Sequence, residues 1–415
     1  MRILMISSTF PYPPSRGGTE IRTFNLLKYL HMTHEVTLVT QRHTDVSDDD
    51  IEQLKQYVTH LNVFELAADI STQSGPWVTL GKLNRFVTAT ASGTPPNVLH
   101  RYSPQMQQWI DDQVNMGAVD VITCEHSVNA VYIRPSYKTS VRTILNIHSL
   151  IYNWMLNHLQ MDASDYAMRD RLYLSTVKRY EQRYQQQFSH VVVTTSDDQD
   201  ALIQLCPNLD SSIVSNGVDL ELFPYRSQDP GTQELVFVGA MNSSHNIDAA
   251  KFFVTAVMPL LRERYPSIQL TIVGAYPTLA VKALADDHEG VTVTGKVPSV
   301  TDYLHRAVIC VVPLRAGFGI KNKTLEAMAA GVPVVGSDRG LEGLEVDGKN
   351  VPLRALRANQ PNEYVSAISH LIDDPELRAS LSINGRSLVE HTFSWDKAGR
   401  DYEAVLAKKV NLQLA

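Results

Sequence analysis

The sequence is short of cysteine, short of basic residues relative to acidic ones, and without long apolar runs. Its three cysteines, Cys124, Cys206 and Cys310, are far apart and odd in number. Neither a disulfide framework nor a zinc pattern fits them, and a reducing compartment is the simpler expectation. Lys and Arg total 37 against 44 Asp and Glu, a formal charge of −7. That balance leaves no overall basic footprint for a nucleic-acid backbone. No stretch of about 18 apolar residues occurs, so no membrane-spanning helix is expected. The opening MRILMISSTFPYPP breaks into prolines after an apolar run too short for a signal peptide. The chain reads as cytoplasmic, with peripheral contact at the inner membrane face left open. The signatures of several other chemistries are missing as well. There is no P-loop pattern, no HExxH and no metal spacing among the histidines, and PPSRGGTE rather than GxGxxG follows the first strand. The last point argues against a nicotinamide or flavin enzyme.

What is present is a repeated strand–helix alternation. The 415 residues, 44% hydrophobic and 20% charged, have the composition of a globular protein too long for one ordinary core. RILMIS (Arg2 to Ser7) reads as a buried parallel strand, TFPYPPSRGGTE as loop, Ile21 to Leu30 as an amphipathic helix and Glu35 to Gln41 as a strand. This βαβ series demands a parallel sheet. Strands recur at Val119 to His126, Arg142 to His148 and His190 to Ser196, with a helical region between Tyr152 and Gln187. The pattern pauses at a turn near Ser212 to Phe223 and loosens at Pro224 to Gly231. It then restarts with strands at Glu234 to Ala240, Ile268 to Ala275, VTVTG, AVICVVPL and VPVVGS, and one long helix at DAAKFFVTAVMPLLRERYP. The expected fold is α/β, two doubly wound Rossmann-like domains facing across a cleft. The expected boundaries are 1–215 and 216–394, with a C-terminal helix (395–415) crossing back onto the first domain.

The stretch AGFGIKNKTLEAMAAGVPVV gathers glycines, two lysines and one acid at the mouth of a short helix. In an open parallel sheet, ligands bind beyond the carboxyl ends of the strands. Gly317 and Gly319 let backbone approach a ligand, Asn322 is a candidate N-cap, and helix-start amides favour anions. Lys321 and Lys323 add full charge; the alternative is a solvated loop whose lysines keep it soluble. Glu326 has an ordinary explanation as a first-turn acid, worth about 0.3–1 kcal/mol. From the helix mouth it can also accept hydrogen bonds from sugar hydroxyls. Gly331 ends the helix. Elsewhere, Arg16 stands beside Gly17 and Gly18 and is either a phosphate contact or solvated, Glu20 serves the dipole of the next helix, and Arg315 either helps bind phosphate or pairs with an acid. Glu125 and His126 end one strand and His148 another, so Glu125 and His126 are candidates for an acceptor pocket. Trp154, Met155 and Leu159, mixed with Arg169, Arg171, Lys178 and Arg179, suit either helix packing or an anionic lipid surface.

These residues resemble the retaining glycosyltransferases of GT-B architecture, family 4 (glycosyltransferase group 1). The resemblance covers nearly the whole chain: SRGGTE, SNGVD (Ser215 to Asp219), VFVGAM, TIVGA and, most specifically, LEAMAAG with its flanking strands. It implies a donor-binding second domain in which Glu326 holds the ribose hydroxyls of a nucleotide-diphosphate sugar. It also implies that Gly317, Phe318, Gly319 and Ile320 meet the phosphates and sugar, with Lys323 and Leu325 beside them. Arg16, Gly17 and Gly18 would close over the ligand from an acceptor-binding first domain, and His148 matches the family histidine beside the transferring sugar. The sequence departs from the family at two places. Phe318 stands where most relatives have a second glutamate, and VGAMNSSHNIDAA lacks the basic pair that many carry after that strand. The expectation is that Lys321, assisted by Lys323 or Arg16, offsets charge on the leaving diphosphate. The implied reaction is retaining transfer to a hydroxyl of a glycan, lipid-linked glycan or small molecule, as in polysaccharide biosynthesis. No cofactor, divalent metal or nucleic acid is expected. A nucleotide-sugar epimerase, a sugar phosphorylase (for which no pyridoxal-lysine motif is seen) and a non-catalytic nucleotide-sugar-binding protein are the alternatives.

Overall fold

Arg2–Ser7 (β1) is buried from Ile3 onward and pairs in parallel on both sides, Ile3 opposite Val36 and opposite Val121. Such a strand has no polar face to offer, which places it mid-sheet. The computed structural model describes residues 1–14, 18–66, 93–148, 150–160, 167–317 and 319–408. These fall into two units, Met1–Ser215 with the chain from Ala398 on, and Asn216–Lys397.

The first unit is built on Arg2–Ser7 (β1), Glu35–Arg42 (β2), His60–Glu65 (β3), Val121–Glu125 (β4), Arg142–Asn146 (β5), His190–Val193 (β6) and Ser211–Ile213 (β7). All pairings are parallel, in the order β3-β2-β1-β4-β5-β6-β7. The order reverses between β1 and β4, so their carboxyl ends flank the switch point at which open α/β sheets bind ligands. The helix expected from Ile21 begins earlier, at Gly18, and runs to His31 with Glu20 in its first turn. The segment 152–187 contains helices at Ile151–Gln160 and Ala167–Gln185. Val177, Tyr180, Glu181, Tyr184 and Gln185 form the buried stripe of the second, at helical spacing. Packing therefore accounts for this stripe.

The second unit is built on Glu234–Val238 (β8), Gln269–Val273 (β9), Val291–Val293 (β10), Ile309–Val312 (β11), Val334–Gly336 (β12) and Leu356–Arg357 (β13). The order is β10-β9-β8-β11-β12-β13, again all parallel. Both sheets are doubly wound, and the second switch point lies between β8 and β11. The helix expected as one piece after β8 is α-helical at Ser244–Phe252, widens to a π turn at Phe253–Val257 and returns to α at Met258–Arg264. Pro259 lacks an N–H and crowds the carbonyl one turn back, and the π turn absorbs the lost bond. Gly274 and Gly239 pack backbone against backbone where β9 and β8 end. A Cβ on Gly274 would stand 1.7 Å from the Gly239 carbonyl oxygen, so no side chain fits there.

Candidate functional site

In the second unit, the loop after β11 arrives at the switch point and turns into the helix Asn322–Ala329. Gly317 and Gly319 both have positive φ (105° and 72°), a conformation that excludes most side chains and explains the glycine spacing. The helix ends in a Schellman closure: Gly331 N–H donates to Met328 O (3.1 Å) and Val332 N–H to Ala327 O (2.9 Å), with Gly331 at φ 76°. Asn322 is not the N-cap. It is the first helical residue, and Lys321 occupies the cap without a side-chain bond to the helix. The Lys321 ammonium instead turns back to the Gly319 carbonyl and to Glu342 Oε2, at 3.0 Å from the latter.

Lys323 reaches across the switch point. Its Nζ donates to Asn246 Oδ1 at 2.5 Å and lies 4.8 Å from the centre of the Phe237 ring. A Cβ on Gly239 would stand 2.6 Å from that Nζ, so the glycine ending β8 makes room for the lysine. Glu326 is half-buried, and among the described residues its carboxylate accepts no hydrogen bond. Loss of water pushes its pKa up to about 7, opposed by the charge of Lys323. Burial likewise pulls Lys323 down to about 8, opposed by Cys310 and Glu326. The result is a facing anion and cation, each titrating near neutrality, with the anion's hydrogen-bonding capacity unused.

Several candidates take other places. The Leu325 side chain is wholly buried in the second core, so it is a packing residue and not a ligand contact. Ile320 packs against the same core and against Gly343. Arg315 pairs with Asp248 (Nε to Oδ2, 2.9 Å) and lies over Phe252, so its charge is spent on an acid. Arg16, Gly17 and Phe318 lie outside the described residues, and Gly18 opens the first helix. Asn246, Glu342 and Arg339 were missed: the first is far from the glycine loop in sequence, the other two in a turn with no signature of its own.

In the first unit, the ends of β4 and β5 bring His126 and His148 together, ring centres 5.3 Å apart and edge to face. His126 has φ 75°, a left-handed conformation rare without glycine that turns the chain off the strand. Burial lowers both imidazoles, His126 to about 4 with Arg101 adding to the effect, so both are neutral at pH 7. The His148 Nδ1 lies 3.3 Å from Thr19 Oγ1, and its buried Nε2 has no partner among the described residues.

Glu125 does not line a pocket. It is completely buried, and its carboxylate accepts from Thr123 Oγ1 (2.5 Å), Tyr402 OH (3.0 Å) and Asn146 Nδ2 (2.7 Å). Asn146 Oδ1 in turn accepts from the buried Arg22 guanidinium at 2.9 Å. A buried charge is tolerated only when so bonded. Glu125 therefore holds the strand ends carrying both histidines and presents nothing to a ligand. Besides Thr123 on its own strand, its partners Asn146 and Tyr402 lie 21 and 277 positions away, and no local motif signals them.

A family model described as "Glycosyltransferase Family 4" matches residues 16–222, and one described as "Glycosyl transferases group 1" matches residues 232–374. The chain belongs to the family 4 glycosyltransferases. This glycosyltransferase is 30% identical over 155 residues to a GDP-mannose-dependent phosphatidylinositol monomannoside mannosyltransferase of Mycolicibacterium smegmatis, a match covering 34% of this chain and 40% of that one. The chain spans well under half the length of the curated relatives it matches. Among solved structures it resembles sucrose-phosphate synthase of Thermosynechococcus elongatus (TM-score 0.67, 19% identity, 98% of both chains). It also resembles Anabaena HepE in complex with UDP (TM-score 0.64, 15% identity, 98% of this chain and 100% of that one). At such identities the likeness establishes the fold, which is GT-B. Among the described residues of this glycosyltransferase, no group of three His, Cys, Asp or Glu is placed to hold a metal ion, and no helix is long and apolar enough to cross a membrane.

Proposed function

We propose that this glycosyltransferase moves a sugar from a nucleotide-diphosphate sugar to a hydroxyl acceptor with retention at the anomeric carbon, and that the diphosphate is held without a divalent metal. The observation carrying this reading is the Glu326 carboxylate, half-buried at the switch point, with no hydrogen bond to any of the described residues and with Lys323 as its counter-charge. A carboxylate so placed suits the paired hydroxyls of a ribose. The amides at the start of the Asn322–Ala329 helix, with Lys321 and Lys323, suit a diphosphate. The relative that uses GDP-mannose and the neighbour solved with UDP make a nucleotide-linked donor the natural class.

In this reading the bond between the anomeric carbon and the diphosphate oxygen breaks while negative charge grows on the departing phosphate. The acceptor oxygen forms the new bond on the same face, and its proton passes to the departing diphosphate. Lysine cations and helix amides stabilise the growing charge more than they stabilise the bound donor, which is what accelerates the step. The first unit binds the acceptor and supplies His148, whose neutral ring accepts or donates at the transferring sugar. Peripheral membrane contact belongs to this reading only if the acceptor is lipid-linked.

The test is incubation with UDP-, GDP- and ADP-linked sugars and a panel of glycan, lipid-linked and small-molecule acceptors. Proton NMR of the product then reads the anomeric configuration. Retained configuration without added metal is the expected result. Inversion overturns the mechanism, donor consumption without acceptor indicates an epimerase, and binding without turnover indicates a non-catalytic binding protein.

A further inference from the structure

The turn that follows β12, Ser337 to Leu344, is tied to the glycine loop at every step. Ser337 Oγ donates to the Leu314 carbonyl at 2.5 Å, and Gly340 N–H returns to Ser337 Oγ at 2.9 Å. Thr324 Oγ1, in the first turn of the Asn322–Ala329 helix, donates to the Gly340 carbonyl at 2.7 Å. A Cβ on Gly340 would stand 2.4 Å from the Val312 carbonyl oxygen, and one on Gly343 would stand 2.9 Å from Ile320. Between those two glycines is Glu342. One of its oxygens accepts from Lys321 Nζ at 3.0 Å and the other from Arg339 Nη1 at 2.7 Å, with only 15% of the side chain exposed. Lys321 itself is 10% exposed and also donates to the Gly319 carbonyl.

We infer that Glu342 is a positioning residue for the transfer reaction: it aims the Lys321 ammonium along the glycine loop and keeps it charged, ready for an anionic diphosphate. This rests on the donor reading above. A surface ion pair would contribute little, but this one is largely out of water, and its lysine belongs to the loop at the switch point. The charged groups that act on Lys321 are Glu342 and Arg339 on the turn and Lys323 in the helix that follows it. Burial lowers Lys321 and Glu342 opposes that, while Arg339 adds to the lowering. Removing the glutamate charge leaves only lowering influences, so the ammonium is lost at a lower pH.

The experiment measures affinity for UDP, GDP and ADP by calorimetry as a function of pH, in wild type, Glu342→Gln, Glu342→Asp, Lys321→Arg and the Lys321→Arg/Glu342→Gln double variant, with thermal unfolding in parallel. Glu342→Gln is expected to weaken diphosphate binding about tenfold at pH 8 and to move the alkaline fall in affinity toward lower pH. Glu342→Asp recovers part of both. In the Lys321→Arg background the glutamate substitution leaves the alkaline limb in place, because a guanidinium does not titrate in this range. An unmoved limb in Glu342→Gln, or tighter binding throughout, overturns the inference; tighter binding means that Glu342 only competes with the ligand. A wild type that binds none of the three diphosphates overturns the donor reading, and this inference with it.

Discussion

The Tyr402 hydroxyl donates to Glu125 Oε1 at 3.0 Å although the two residues are 277 positions apart. It joins a helix near the end of the chain to the carboxyl end of β4, within the first unit. Tyr402→Phe removes one partner from a carboxylate that has no access to water. The expected cost is about 1–3 kcal/mol, read as a lowered Tm in thermal unfolding followed by circular dichroism. An unchanged Tm would mean that Thr123 and Asn146 satisfy Glu125 alone.

Glu326→Ala should leave the fold intact and weaken nucleoside-diphosphate-sugar binding. Loss of hydrogen bonds to a charged group is worth about 1.5–3 kcal/mol, roughly ten- to a hundredfold in Kd. Calorimetry with the preferred donor checks it, and equal affinity in the variant would remove Glu326 from the site.

The same carboxylate has a stability signature. Its folded pKa of about 7 lies above its ordinary value of 4.5, so the folded state resists ionisation. The resulting penalty is absent below the ordinary value, grows as pH rises toward the folded one and stays constant above it. Glu326→Gln should therefore raise Tm at about pH 8 and leave it unchanged near pH 4. Donor affinity in the wild type should rise as Glu326 ionises near 7 and fall on the alkaline side as the two lysine ammonium groups lose their charge, Lys323 at about 8 and Lys321 also below its ordinary value. A flat profile between about pH 6 and about pH 9 would contradict both assignments.

Gly274→Ala places a methyl group inside the van der Waals radius of the Gly239 carbonyl oxygen. Strand ends in a packed sheet cannot part without losing their ladder, so about 3 kcal/mol or more of destabilisation is expected, concentrated in the second unit. Limited proteolysis should cut within 216–397 first.

His148→Ala should lower kcat by at least about a hundredfold while leaving UDP, GDP and ADP affinities unchanged, because the diphosphate groups proposed here all belong to the second unit. Steady-state kinetics with a matched binding titration separates the two effects. Loss of diphosphate affinity would place the histidine in donor binding instead.

Sequence patterning carried most of the architecture. The apolar runs at Arg2–Ser7 and Glu234–Val238 can satisfy their backbones and bury both faces only in the middle of parallel sheets. The short strands at His60–Glu65 and Ser211–Ile213 were not read, since each is half-exposed or only a few residues long and carries little periodic signal. At the site, Gly317, Gly319, Lys321, Lys323 and Glu326 stood out because one loop and one helix turn bring neighbours in sequence to one place.

Sequence alone thus determined two doubly wound sheets, the glycine loop and the helix that begins at Asn322, because periodicity and backbone freedom are local properties. Tertiary structure decided which charges are free. It sealed Glu125 beneath Tyr402, spent Arg315 on Asp248, set Glu342 behind Lys321 and left the Glu326 carboxylate without a hydrogen bond among the described residues. Hydrogen bonding and desolvation act through space, between residues up to hundreds of positions apart, and spacing along the chain does not encode them.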